Sequence, residues 1–183
     1  MGPTPLHKIK VNIDGAFRDS TKPAAIGIIC HDYRGNMQWA FVDKIKSISA
    51  FMTEALAMRR ALMIIQDLGN KNVVIETDCQ TLLHCLENDH PSLCEWQSRC
   101  ILEDVLGLLR SDPDFSVQFI PCKGNKGADL LAALIDKGVC PIGWVEIPLP
   151  PLYSVLEDDR KDLRTPQGQR DPQSRSTMSV WSV

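Results

Sequence analysis

Four acidic residues stand at separate points of the chain, in segments where burial favours apolar side chains. They are Asp14, Glu54, Asp78 and Asp129. A carboxylate that leaves water without a partner is strongly destabilising or gives up its charge, so acids in core-facing segments pair with cations or ligate a metal. Hard divalent cations prefer oxygen ligands of this kind. The four acids therefore indicate a divalent metal site.

Taken singly, three of these acids have a simpler interpretation. Glu54 could reach solvent at the end of the apolar stripe of its helix, near the positive end of the helix dipole. Asp78 could be the N-cap of the helix that follows it, and Asp129 lies near a helix N-terminus, where acids are common. The order and placement of all four acids favour the metal site over these separate explanations.

The elements that carry the acids follow from hydrophobic periodicity. Alternating or β-branched runs predict strands, and stripes with a period of 3.6 predict helices. Strands come first and then alternate with helices, which predicts an α/β domain with a mixed sheet of about five strands. The predicted strands are 8–16, 25–31, 37–42, 72–77 and 115–120, and the predicted helices are 50–68, 79–86, 95–110 and 128–136.

Composition narrows the class of protein. The 183 residues suit one domain with appendages, and a hydrophobic fraction of 44% with a charged fraction of 23% is ordinary for a globular protein. The net charge of −3 argues against a protein that coats nucleic acid by bulk electrostatics. No apolar run is long enough to span a membrane and the N-terminus has no signal peptide pattern, so we expect an intracellular protein, in the nucleus or the cytoplasm.

Cysteine spacing and the composition of the two terminal segments predict the state of the thiols and the bounds of the domain. Seven cysteines without a CxxC pair predict reduced, packed thiols rather than a zinc site or a disulfide framework. We expect an N-terminal extension over 1–7 and a domain over 8–147. A Pro-rich segment and a disordered tail are expected over 148–183, with the Pro-rich part extended over the domain and the disorder beginning near Val155.

Four strings carry a resemblance to a known family. They are NIDGAF, TEALAMRRAL, VVIETDCQTLL and KGNKGADLLAAL, each on the predicted element that bears one of the acids. In this order and at these intervals they resemble the type 1 ribonuclease H domain, most closely its plant reverse-transcriptase-like, retroelement-related branch. The resemblance covers about residues 8 to 147. It implies a ribonuclease H-like fold: a five-stranded mixed sheet, its first three strands antiparallel, with helices on both faces.

The resemblance also implies an activity. The domain would be a metal-dependent endonuclease that hydrolyses the RNA strand of RNA:DNA hybrids, as a monomer, and leaves 5′-phosphate and 3′-hydroxyl ends. Two Mg²⁺ ions, or Mn²⁺, would be held by the four acids, with Asp14 shared between them. Asp129 would complete the site that activates water, and Glu54 with Asp78 the site that faces the leaving group. Substrate contacts are expected at Gly15, Ala16, Asn125 and Lys126.

Two other hypotheses remain open from the sequence. A catalytically weak or inactive nucleic-acid-binding module of the same fold is favoured by the absence of histidine after His90. It is also favoured by Phe119 and Cys122, which stand where related plant sequences often show His and Arg. A proofreading 3′ exonuclease fits less well, because that class requires Asp-x-Glu on the first strand and Asp14 is followed by Gly15 and Ala16.

Overall fold

The computed structural model describes residues 8–87 and 96–164, with the backbone alone over 158–164. Within these residues six strands form one sheet: β1 Ile9–Ala16, β2 Ala24–His31, β3 Met37–Ile45, β4 Val73–Thr77, β5 Phe115–Phe119 and β6 Gly143–Val145. The helices are α1 Ala50–Asp67, α2 Gln80–Glu87, α3 Arg99–Ser111, α4 Lys126–Asp136 and α5 Pro150–Arg164. Short 3-10 turns precede α3 at Trp96–Ser98 and α4 at Cys122–Gly124.

The sheet is mixed, with the strand order β5-β4-β1-β2-β3-β6. The pairs β1–β2, β2–β3 and β3–β6 are antiparallel, whereas β1–β4 and β4–β5 are parallel. The predicted α/β class and the antiparallel order of the first three strands are thereby confirmed. In this order β1 lies in the middle of the sheet, and its end adjoins the end of β4, where two of the four acids stand.

Two apolar cores cover the two faces of the sheet. On one face α1, α2 and α3 pack against strand residues such as Val11, Ile13 and Ile75. On the other face α4 and α5 pack against Ile29 and Val42. Successive residues of one strand enter different cores, as Ile28 and Ile29 of β2 do, because neighbouring side chains of a strand point to opposite faces. The expectation of helices on both faces is correct.

The sheet has one strand more than the five expected. Strand β6 has only three residues, and it pairs with β3 through Ala40–Val145, Phe41–Trp144 and Val42–Gly143. The Trp144 ring makes edge contacts with Trp39 and Phe41, at centroid distances of 5.7 and 5.5 Å. This short segment is held by pairing and aromatic packing with β3, which its own periodicity does not reveal.

The C-terminal part of the domain also differs from expectation. The sequence predicts an extended segment from Pro148 onward, followed by a disordered tail. The structure instead has helix α5 in this part of the chain, from Pro150 to Arg164. Pro150 and Pro151 occupy the first turn of this helix, where proline is tolerated because no N–H partner is needed there. Leu152 and Leu156, one turn apart, are buried in the core beside α4. The expectations for 1–7 and 165–183 lie outside the described residues.

The structure also bears on the predicted state of the cysteines and on the search for membrane-spanning segments. Five cysteines are free thiols as predicted, but only three are buried or half-buried, Cys30, Cys79 and Cys140, whereas Cys100 and Cys122 are exposed. Cys85 is disulfide-bonded, so the prediction of reduced thiols is wrong at that position. Among the described helices none has both the length and the apolar character needed to cross a bilayer.

Candidate metal centre

Strands β1 and β4 bring Asp14 and Asp78 to the same end of the sheet. In this parallel pair Asn12 lies opposite Glu76, so Asp14 and Asp78, each two residues further along, leave the strands side by side. Asp14 lies on the α4 face, since it alternates with Ile13, which is buried in the opposite core. The two-residue period of both strands thus places the two carboxylates together.

Helix α1 supplies Glu54 from its second turn. The Ser49 hydroxyl caps the helix by accepting a hydrogen bond from Met52 N–H at 3.0 Å. The fully buried Thr53 hydroxyl contacts the Ser47 hydroxyl at 2.9 Å. Gly15 N–H donates to Glu54 Oε1 at 3.2 Å. A side chain at Gly15 would overlap Thr53, with its Cβ 2.8 Å from Thr53 Cγ2. The absence of a Cβ at residue 15 therefore lets α1 approach β1 and directs Glu54 to the strand end rather than to solvent.

The carboxylates of Asp14, Glu54 and Asp78 form a compact cluster. One oxygen from each of them lies within 4.8 Å of the others. Burial, followed by the charges of Asp78 and Asp129, raises the pKa of Asp14 from 3.8 to about 7. Burial, followed by the charges of Asp14 and Asp78, raises the pKa of Glu54 from 4.5 to about 9. The cluster therefore resists full ionisation when no cation neutralises it.

Helix α4 carries Asp129 in its first turn, and a glycine of β2 sets the position of this helix. A Cβ at Gly27 would overlap the Ala128 carbonyl oxygen and lie 2.8 Å from Ala132 N. Gly27 pairs directly with Asp14 across β1 and β2. Asp129 is exposed and outside the 4.8 Å cluster, yet its charge acts on Asp14. The close packing of α4 on Gly27 thus brings the fourth acid near the first.

The donor set fits a hard divalent cation. All three clustered groups are carboxylates, which match the oxygen preference of Mg²⁺ and Mn²⁺. Glu54 Oε2 is buried and has no hydrogen-bond partner within the described structure. A buried carboxylate oxygen without a donor is unfavourable unless a cation satisfies it. This orphaned oxygen is the structural feature that a bound metal would explain.

The structure does not support the alternative interpretation of Asp78 as the N-cap of α2. Helix α2 begins at Gln80, so Cys79 and not Asp78 is the residue directly before it. Asp78 Oδ1 instead accepts a hydrogen bond from Asn125 Nδ2 at 3.2 Å, and the Asp78 carboxylate raises the pKa of the Cys122 thiol. Asp78 therefore faces the carboxylate cluster and the turn before α4.

The four predicted substrate contacts occupy different environments. Lys126 is exposed at the start of α4, whereas Gly15 and Ala16 are half-buried at the end of β1. Asn125 is only 1% exposed, and its amide bonds Asn12 Nδ2 at 3.3 Å, the Ile13 carbonyl at 2.8 Å and Asp78. The Asn125 side chain thus contacts protein groups rather than the surface.

Sequence reasoning missed the polar residues beneath the carboxylates. Asn12 and Glu76 lie on the same sheet face as Asp14 and Asp78, two residues before each of them, and they are 6% and 4% exposed. Asn12 Nδ2 donates to Glu76 Oε2 at 3.1 Å. The signal available in the sequence is the period of two, which places a polar residue under each strand-end acid in NID and ETD.

A family model identifies the chain. Residues 12–135 match the model described as reverse transcriptase-like, and this match covers more than half of the sequence. The chain belongs to this family. A comparison with curated proteins finds no match. The more specific plant assignment stays a prediction.

Solved structures show the fold to be ribonuclease H-like. Ribonuclease H1 of the archaeon Halobacterium salinarum is 24% identical with a TM-score of 0.59, over 71% of this chain and 98% of that chain. LC11 ribonuclease H1, isolated from compost by a metagenomic approach and solved with an RNA/DNA hybrid, is 22% identical with a TM-score of 0.63, over 72% and 99%. An N-terminal ribonuclease H domain from Mycobacterium tuberculosis is 14% identical with a TM-score of 0.63, over 73% and 96%.

Proposed function

We propose that the protein is a type 1 ribonuclease H-like hydrolase that cuts the RNA strand of RNA:DNA hybrids and leaves 5′-phosphate and 3′-hydroxyl ends. The observation that carries this proposal is the cluster of Asp14, Glu54 and Asp78, with an oxygen from each within 4.8 Å of the others at the end of β1. Family membership over residues 12–135 supports the same class of protein. A cluster of three half-buried acids has no stabilising role of its own, which favours a catalytic one.

Divalent cations, with two Mg²⁺ ions or Mn²⁺ as the expected occupants, would be held by Asp14, Glu54, Asp78 and Asp129. When bound, such cations activate a water molecule and stabilise the leaving 3′ oxygen in an in-line displacement. The charges of Asp78 and Asp129 both raise the pKa of Asp14, whereas Glu54 responds to Asp14 and Asp78. Asp14 is thus electrostatically coupled to all three other acids, which supports its proposed role as a ligand shared by two ions.

The chain's own groups hold these ligands in place. Gly15 N–H binds Glu54 Oε1, and Asn125 Nδ2 binds Asp78 Oδ1, so one oxygen of each carboxylate is fixed by a donor from the protein. The close approach at Gly27 keeps Asp129 on the same side of the sheet as Asp14. Fixed carboxylates lose little conformational entropy when they bind a cation or a reacting phosphate.

An RNA:DNA hybrid is the substrate class that the surroundings support. The LC11 ribonuclease H1 structure contains such a hybrid, and so does a foamy viral protease-reverse transcriptase of similar fold. Arg59 and Lys71 are engaged in surface ion pairs with Asp104 and Asp112. Lys123 and Lys126 are exposed in the turn before α4 and at the start of α4, on either side of Asn125 in sequence, and neither takes part in an ion pair of the described residues. These two lysines are the candidates for phosphate contacts. Gly15 and Ala16 remain the candidates for contacts with the RNA strand that is cut.

A cleavage assay tests the proposal. Purified protein is incubated with a duplex whose RNA strand is labelled, in Mg²⁺ or Mn²⁺, beside double-stranded DNA and double-stranded RNA of the same sequence. We expect cleavage of the hybrid alone, dependence on the metal, and loss of cleavage in Asp14→Asn. Arg99→Ala, which removes an exposed ion pair with Glu103, is the control expected to cut like wild type.

The same assay separates the catalytic proposal from a binding module of the same fold. If wild type binds the hybrid in a gel-shift assay but leaves both strands intact in both metals, the chain is a non-catalytic module. If wild type and Asp14→Asn cut equally, the activity belongs to a contaminant and the proposal fails.

A further inference from the structure

Three buried side chains, Glu76, Asn12 and Asn125, are linked by hydrogen bonds that connect the sheet to Asp78. Glu76 Oε2 accepts from Asn12 Nδ2 at 3.1 Å, and Asn12 Nδ2 also donates to Asn125 Oδ1 at 3.3 Å. Asn125 Nδ2 donates in turn to Asp78 Oδ1 at 3.2 Å and to the Ile13 carbonyl at 2.8 Å. The three are at most 6% exposed, so water does not substitute readily for any of these partners.

The groups at the two ends of this series of hydrogen bonds determine which atom donates and which accepts in each bond. The Ile13 carbonyl can only accept, so the Asn125 atom beside it is the NH₂ group, and the same group faces Asp78. The Glu76 carboxylate likewise requires the NH₂ group of Asn12. Asn12 therefore offers a donor to Asn125, whose oxygen accepts it. Both ends impose the same orientation on the Asn125 amide.

Glu76 is itself held firmly. Lys10 Nζ lies 2.6 Å from Glu76 Oε1, and Gln118 Nε2 donates to the same oxygen at 2.5 Å, which leaves Oε2 directed toward Asn12. These partners come from β1 and β5, on either side of β4. The carboxylate is thus fixed from three directions, and a fixed acceptor in turn fixes the amide that donates to it.

We propose that Asn125 is a positioning residue for the metal centre, and that Asn12 and Glu76 keep its amide donor directed at Asp78. The inference rests on the proposed function, because Asp78 is taken as a ligand. A donor on Oδ1 would fix the plane of the Asp78 carboxylate, as outer-shell donors do for metal ligands. In this proposal Asn125 acts through Asp78, as an alternative to the substrate contact predicted for it from sequence.

Mn²⁺ binding by the full chain without nucleic acid is the direct measurement, made by titration calorimetry on wild type, Asn125→Ala and Asn125→Ser. We expect Mn²⁺ affinity to fall about tenfold in both variants, the lower end of the range for lost outer-shell partners. Serine is a favourable N-cap at the start of α4, so Asn125→Ser retains the helix start if the alanine variant folds poorly. We expect Asn12→Ala to weaken Mn²⁺ binding less, since the Ile13 carbonyl still orients Asn125.

Hybrid cleavage gives the second readout. We expect kcat at fixed low Mn²⁺ to fall while the KM for the hybrid stays within twofold of wild type. Asn36→Ala is the matched control, because Asn36 Nδ2 also donates to a carboxylate, that of Asp32 in the β2–β3 turn, at 2.8 Å. Its Mn²⁺ affinity should equal that of wild type even if its unfolding free energy is lower.

The outcomes separate this inference from the proposed function. Wild-type Mn²⁺ affinity in both Asn125 variants, with or without a loss of stability, would show a purely structural role and overturn the inference. A raised KM with unchanged Mn²⁺ affinity would return Asn125 to the substrate contacts and also overturn it. If wild type neither binds Mn²⁺ nor cuts the hybrid, the proposed function fails and the inference fails with it.

Discussion

Replacing Glu54 by glutamine should stabilise the metal-free protein while abolishing the proposed hybrid cleavage. Glu54 has a pKa raised from 4.5 to about 9 by burial and by the charges of Asp14 and Asp78. At pH 7 the folded protein therefore keeps a proton that the unfolded chain releases. The difference of 2.5 between pH 7 and the ordinary pKa of 4.5, at about 1.4 kcal/mol per pH unit, amounts to about 3 kcal/mol of lost stability. Glutamine does not titrate, so Glu54→Gln avoids this loss.

The pH dependence gives the sign of the effect. A carboxyl whose pKa is raised on folding destabilises the protein increasingly as the pH rises from its unfolded pKa toward its folded pKa. We expect the unfolding free energy of metal-free wild type to fall from about pH 5 to pH 9, and that of Glu54→Gln to fall less. Asp14, with its pKa raised to about 7, adds a second fall that ends near neutrality in both proteins.

Urea unfolding in EDTA at several pH values measures this difference. At pH 7 we expect Glu54→Gln to gain up to about 3 kcal/mol, or roughly 6 to 12 °C in Tm for a domain of this size. Added Mg²⁺ should stabilise wild type and leave the variant nearly unchanged, since a bound cation stabilises only the state that binds it. Equal or lower stability of Glu54→Gln without metal, with the same pH slope as wild type, would refute the reasoning.

Three other substitutions test the packing around the site. Gly27→Ala should lower the unfolding free energy by about 1–3 kcal/mol and reduce hybrid cleavage, because the added Cβ displaces α4 and with it Asp129. Wild-type cleavage by this variant would contradict the role of the close contact. Leu152→Ala, at a fully buried position of α5, should cost about 2–5 kcal/mol in urea unfolding, and no loss would place α5 outside the domain. Arg60→Ala removes a guanidinium 4.9 Å above the Phe41 ring, so its Tm should fall slightly with cleavage unchanged, and a loss of cleavage would contradict this.

Local periodicity was sufficient to predict most of the fold. In β1 the core residues Val11 and Ile13 alternate with polar residues, and α1 carries a long apolar stripe. These features are encoded within each segment, so they are readable without knowledge of the neighbours. The same periodicity brought Asp14 and Asp78 to one end of the sheet, and the helix stripe brought Glu54 toward them.

Features that depend on distant partners were not predictable in this way. Strand β6 is stabilised by pairing with β3 and by the contact of Trp144 with Trp39, and three residues carry too little periodicity to be recognised. Helix α5 begins with two prolines that suggest an extended segment, and its burial depends on α4. The buried position of Asn125 likewise follows from Asn12, which lies 113 residues away in sequence.

Location of the metal tests the central claim most directly. Crystals of wild type and of Asp14→Asn, soaked in Mn²⁺ and measured at the manganese absorption edge, show where the cation binds. We predict an anomalous peak in wild type about 2.1 Å from carboxylate oxygens of Asp14 and at least one of Glu54 and Asp78, as hard-cation coordination requires, and no such peak in Asp14→Asn. A peak elsewhere, or the same peak in both proteins, would contradict the assignment of these carboxylates as a metal centre.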